Sequence, residues 1–207
     1  PPLTEEDKTA RFGDARTVHD TLQQKAEARK AACLLPREDK IRNLEQIYTI
    51  PVNEAFELCE SEHTAGCPLC SLYNKLEDDE LELILGASMM EPDIRIVTNR
   101  EGFCRVHYDM MFTRKNRLGM ALTLESHLAE LAGDLKGGGL FAKPGERSVK
   151  RIAELENSCY VCRRIDFHFT HMVETVVFLW DEDEDFRRKF SGQTCFCLPH
   201  YRRLLAC

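Results

Sequence analysis

Apolar positions recur at helical steps along most of the chain. The series Leu118, Leu122, Leu128, Leu131 and Leu135 predicts a long amphipathic helix that begins near Cys104 and ends at Gly137-Gly138-Gly139. Residues from Thr4 to Cys33 read as a helical arm, because Thr4 with Asp7 resembles a capping box and Pro36 closes the element. Its apolar positions (Phe12, Val18, Leu22) are too sparse for a core-facing stripe, so the arm is expected to pack on a partner chain or loosely on its own body. A helix over 38–46 follows. Pro51 is expected to stop the apolar segment 47–51 from continuing as helix, and a short helix over 52–58 begins after it. The β-branched run 173–177 sits inside a helical pattern, so the fold class is read as all-α. The Gly- and Pro-bearing stretch 137–145 is the one clear linker. It sets the expected organisation: a helical arm (1–40), a first module (41–136), the linker, and a second module (146–207).

The two modules carry the same cysteine and histidine pattern. In the first, Cys67-Pro68-Leu69-Cys70 is followed, after 33 residues, by Cys104-Arg105-Val106-His107-Tyr108. In the second, Cys159-Tyr160-Val161-Cys162 is followed, after 34 residues, by Cys197-Leu198-Pro199-His200-Tyr201. Phe103 and Phe196 precede the second half-motifs, and Asp93-Ile94-Arg95 and Asp185-Phe186-Arg187 fall in register between them. Each half therefore reads C-x2-C, a spacer, then F-C-x2-H-Y.

Two thiolates three positions apart can share one tetrahedral ion at about 2.3 Å, and such a pair supplies half a site. The second half-motif is expected to open a helix: Pro199 suits a first turn, and i, i+3 spacing puts Cys104 and His107 on one face. A helix N-terminus also favours thiolate over thiol. Two Cys3His sites holding two zinc ions are the leading expectation, since three thiolates and an imidazole complete zinc's tetrahedron. A duplicated module can pair its own halves or swap them. Self-pairing is preferred here, with Cys67, Cys70, Cys104 and His107 in one site and Cys159, Cys162, Cys197 and His200 in the other. A swapped arrangement would tie the halves together, so that losing one ligand disturbs both modules. Each site would carry about −1 net charge by ligand counting, which Arg105, Arg163 and Arg164 are placed to offset.

Composition narrows the function classes. Forty-three per cent apolar residues suffice for a core, and 28 basic against 35 acidic residues leave a net charge of −7. Acidic runs at 77–80 and 181–185 make a surface that repels phosphates, so no nucleic acid is expected as partner. The basic patches at 163–164, 187–189 and 202–203 read as solvated helix faces. No run approaches the ~18 to 20 apolar residues that span a bilayer, and the polar start lacks the core of a signal peptide, so a cytoplasmic protein without membrane contact is expected. In a reducing compartment ten cysteines favour metal ligation or redox chemistry over disulfides.

Further motifs carry a resemblance. The segment 47–57, the C-P-L-C pair, Asn99-Arg100 with Gly102-Phe103-Cys104 and His107, Asn116-Arg117-Leu118-Gly119 and the closing F-C-L-P-H together resemble an uncharacterised bacterial family, a domain of unknown function, from about Ile47 to the C-terminus. The resemblance supports the boundaries and the cysteine-histidine frame and implies no activity.

Other candidates are weighed against ordinary packing. Cys195 stands where the first half has Gly102, as an alternative ligand, a reactive thiol or, with more weight, a packed cysteine. Cys59 and His63 precede the first C-x2-C as a possible further ligand pair; Cys33 and Cys207 read as incidental. His168 and His171 share a helical face with Glu174 and could hold a catalytic metal, although exposed histidines on a polar face carry more weight. Trp180, with Phe178 and Leu179, is expected to anchor the second module. The functional expectation is a non-catalytic zinc protein whose partner is another protein or a second copy. The alternatives are an iron-sulfur or thiol redox enzyme on the same ligands and a soft-metal sensor or carrier.

Overall fold

The computed structural model describes residues 12–13, 38–61, 66–136 and 145–207. Among these the chain forms nine α-helices. They are α1 (Glu38–Ser61), α2 (Pro68–Leu85), α3 (Pro92–Glu101), α4 (Arg105–Thr113), α5 (Arg117–Lys136), α6 (Glu146–Glu156), α7 (Tyr160–Glu182), α8 (Glu184–Ser191) and α9 (Leu198–Ala206). A short 3-10 turn, Ala87–Met90, leads from α2 to α3. The only extended pairing among the described residues is a two-residue antiparallel bridge, β1 (Phe12–Gly13) with β2 (Phe196–Cys197). Phe12 and Gly13 are thus extended where a helix was expected; the rest of the predicted arm helix lies outside the described residues. The all-α fold class holds, and the duplication holds at the level of elements, with α2-α3-α4 matching α7-α8-α9.

The chain divides into two compact units, one of Pro1–Lys75 with His168–Cys207 and one of Leu76–Phe167. This is not the consecutive division at 137–145 expected from sequence; each unit takes part of both repeats. Residues 137–144 of the expected linker lie outside the described residues.

The first unit is built on an aromatic core. Phe56 on α1 lies 4.9 Å from Phe186 and 5.7 Å from Phe190, both on α8, and Phe190 is 4.9 Å from both Trp180 and Phe196. All five rings are essentially buried, whereas Phe178 is 36% exposed and contributes little to this anchor. Contrary to expectation, α1 runs unbroken through Pro51. The proline removes one backbone donor, and the Asn53 amide donates to the Thr49 carbonyl on the same turn at 3.0 Å. Burial of Val52, Ala55, Phe56 and Cys59 against the unit's core holds the helix together across it. Gln193 reinforces the seam by donating to the Phe56 and Lys189 carbonyls at 3.0 and 2.9 Å.

In the second unit the predicted long helix is two, α4 and α5, broken at 114–116. Asn116 caps the restart, its Oδ1 accepting from the Gly119 N–H at 2.9 Å. The leucine stripe is not the buried face of α5: Leu118 and Leu128 are 66% and 56% exposed, and Gly119, Met120, Thr123 and His127 point inward instead. The reason is Gly119, where a Cβ would stand 2.1 Å from the Leu85 carbonyl oxygen. That close approach fixes the rotation of α5 about its axis. Gly119→Ala is expected to destabilise the protein by about 1–3 kcal/mol through overpacking, read as a lower midpoint in chemical denaturation.

Candidate metal centres

All eight predicted ligands come together, but in the swapped arrangement. Cys67, Cys70, Cys197 and His200 form centre 1, within the first unit; Cys104, His107, Cys159 and Cys162 form centre 2, within the second. The self-paired sets are therefore corrected. In each centre one ligand atom per residue lies within 4.8 Å of all the others. In centre 1 the His200 Nδ1 is 3.7, 3.4 and 3.2 Å from the sulfurs of Cys67, Cys70 and Cys197, and the Cys70 and Cys197 sulfurs are 3.5 Å apart. In centre 2 the His107 Nδ1 is 3.2, 3.2 and 3.4 Å from those of Cys104, Cys159 and Cys162, with 3.8 Å between Cys104 and Cys162.

Helix starts position all of these groups. Cys67 and Cys159 immediately precede α2 and α7, Cys104 and Cys197 are the N-caps of α4 and α9, and Cys70 and Cys162 lie in first turns. Thiols there meet unpaired backbone N–H groups. The Cys162 N–H donates to the Cys159 sulfur at 3.5 Å.

Helix length favours the swap. The 18 residues of α2 carry the chain about 27 Å from its C-x2-C, while the 10 residues of α3 return it by only about 15 Å. The mismatch is larger in the second repeat, about 35 Å for the 23 residues of α7 against about 12 Å for the 8 of α8. In both repeats the outgoing helix is thus longer than the returning one, a mismatch that favours the swapped pairing over closure within a repeat. In centre 2 the junction is backbone-paired, the Tyr160 N–H donating to the Gly102 carbonyl at 3.0 Å. Gly102 holds φ at +60°, and a Cβ there would meet the His127 ring at 3.1 Å and Leu155 at 3.2 Å, so glycine is required on both counts. Cys195, in register with it, has negative φ and stays outside the ligand cluster.

Crowded thiols oppose one another's ionisation. The hydrogen bond donated by Cys70 brings the Cys67 thiol down from 9.0 to about 4, and Cys70, the donor, is pushed far up in return. Burial raises Cys159 and Cys197, and raises Cys162 to about 12. A divalent cation among the sulfurs reverses that balance and favours thiolate at all three. None of the six cluster cysteines is in a disulfide.

Around these ligands lies chemistry that sequence reasoning passed over. Glu77, part of an acidic run taken as surface, accepts from the His107 Nε2–H at 3.1 Å, and its side chain is only 19% exposed. Glu80, one turn on, is buried and takes a two-pronged bond from Arg164 at 3.0 and 3.3 Å. The i, i+3 spacing of Glu77 and Glu80 on the helix that follows Cys67 was the available signal. Arg163 and Arg105 also pair with carboxylates, Glu101 at 2.7 Å and Asp109 at 3.8 Å, so all three arginines expected to offset the thiolate charge engage carboxylates. His200 packs on Phe169, with ring centroids 5.1 Å apart, and lies 6.4 Å from Tyr73.

The remaining candidates do not join a centre. His168 is half-buried with its Nδ1 2.7 Å from the Tyr48 hydroxyl, and His171 stacks on Tyr48 at 5.9 Å, so neither is the exposed histidine expected. Among the described residues neither belongs to a metal-capable group. Cys59 is buried in the first unit's core and Cys207 is exposed. His63 and Cys33 lie outside the described residues. No helix among the described residues is long and apolar enough to cross a membrane.

No curated protein and no solved structure is significantly similar to the chain. The family profile of DUF6062, a family of unknown function, matches residues 44–207, including all eight clustered cysteine and histidine residues, and the chain belongs to that family.

Proposed function

We propose that the chain is a zinc protein with two structural Cys3His centres, serving as an interaction or regulatory protein rather than an enzyme. The observation that carries this reading is the spacing of the donors. A zinc ion with sulfur at about 2.3 Å and nitrogen at about 2.0–2.1 Å sets tetrahedral edges of about 3.6–3.8 Å; the His Nδ1 to sulfur distances and one sulfur pair in each centre run from 3.2 to 3.8 Å, and all donors of a centre lie within 4.8 Å of one another. Three thiolates and an imidazole fill the tetrahedron and leave no position for water or substrate, which is the mark of a structural site. The same spacing weighs against a multi-iron cluster, which distributes its donors over several metal atoms. An acidic balance of −7 suits a protein partner better than a phosphate-bearing one.

Elemental analysis of protein made without added metal, read with its visible spectrum, tests this. Two zinc ions per chain and no visible absorption are expected. A brown protein containing iron, or a chain with no bound metal, ends the zinc reading.

A further inference from the structure

We infer that the two centres hold their ions unequally, with Glu77 as the positioning residue that makes centre 2 the tighter one and leaves centre 1 the exchangeable one. This rests on the zinc reading above. The repeat register isolates the difference. Glu77 stands seven residues beyond Cys70, and Phe169 stands seven beyond Cys162, so they are equivalent positions on α2 and α7. Each meets the histidine of the centre in its own unit: Glu77 meets His107, and Phe169 meets His200.

The chemistry at the two positions is opposite. In centre 2 the ring nitrogen turned away from the thiols donates to a carboxylate, and the His107 side chain is 3% exposed. That bond fixes the tautomer with the Nδ1 lone pair toward the sulfurs and locks the ring plane in which it would meet an ion. In centre 1 the ring packs on Phe169 at a tilt, and the Arg203 guanidinium stands over the same Phe169 ring, 5.0 Å from its centroid. Among the described residues no carboxylate accepts from His200, and its ring is positioned by packing against Phe169. Centre 1 is then the place where a thiophilic ion exchanges with the surroundings, and centre 2 the place where one stays.

Zinc-loaded, full-length chain titrated with a chromophoric chelator tests this. Two release steps separated by about 10- to 100-fold in chelator activity are expected, the magnitude typical of losing such a partner. Cys162→Ser should leave only the easy step and Cys70→Ser only the hard one. Glu77→Gln should move the hard step 10- to 100-fold toward the easy one, with partial recovery in Glu77→Asp. As a measurement that does not depend on a variant folding, the His107 Nε2 proton of the wild-type chain should resonate far downfield of an ordinary imidazole N–H. Release of both ions in one step, a Glu77→Gln chain whose hard step stays in place, or an ordinary His107 proton shift overturns the inference while two bound zinc ions keep the zinc reading intact. A wild-type chain that binds no zinc overturns both.

Discussion

A chain carrying Cys70→Ser and Cys197→Ser together is expected to lose one zinc ion and keep the other, whereas Cys70→Ser combined with Cys104→Ser should lose both. The first pair removes two ligands of one centre, so the second substitution has nothing left to remove. The second pair takes one ligand from each centre, although both residues lie in the same sequence repeat. Strong non-additivity within a shared site and additivity between separate sites is the general signature of such an arrangement. Self-pairing within each repeat predicts the reverse: Cys70 with Cys104 would cost one ion and Cys70 with Cys197 would cost two. Zinc per chain, measured on the two double variants side by side, reads the connectivity directly. A result in the reverse order would dismiss the grouping of Cys67 and Cys70 with Cys197 and His200.

How much of this was legible in the sequence differs from level to level. The eight cysteines and histidines that cluster and the all-α class were legible, because a C-x2-C and an F-C-x2-H at matched spacing are local patterns whose geometry belongs to single helix starts. Their grouping was not. The two repeats present identical donors, so nothing in the residue types distinguishes Cys104 from Cys197 as the partner of Cys70. The unequal length of α2 and α3, and of α7 and α8, favours the swapped grouping, and those lengths cannot be read from the ligand motifs. Pro51 misled for a different reason: tertiary burial of Val52, Ala55 and Phe56 outweighs the lost backbone donor. The leucines of α5 misled because periodicity identifies a stripe but not which stripe is covered, and Gly119 against the Leu85 carbonyl turns the helix the other way. Glu77 was hidden by its neighbours, since an acidic run shows no residue-level sign that one member faces inward.

Removing zinc from centre 1 is expected to expose the chain's single tryptophan, and removing it from centre 2 alone is expected not to. Trp180 is 2% exposed in the aromatic core of the first unit, 4.9 Å from Phe190, and so reports on that unit. Centre 1 joins residues as much as 133 positions apart and centre 2 residues up to 58 apart. Loop-closure entropy distinguishes those spans by less than about 1 kcal/mol, so span alone does not decide which unit depends more on its ion. The energy of the ion does. A structural zinc site is worth roughly 10–16 kcal/mol, as much as the whole stability of an ordinary domain at about 5–15 kcal/mol. In centre 1 an ion would draw the start of α2 to the start of α9, which follows directly from Phe196 in the core. Cys70→Ser should therefore shift Trp180 emission to longer wavelength and lower the helical circular dichroism signal, while Cys162→Ser lowers the helical signal with the emission left in place. Emission that stays blue after a strong chelator has stripped both ions would mean that Phe56, Phe186, Phe190 and Phe196 hold the first unit without metal. In that event centre 1 would not be structural, and ion exchange there would become its function rather than its weakness.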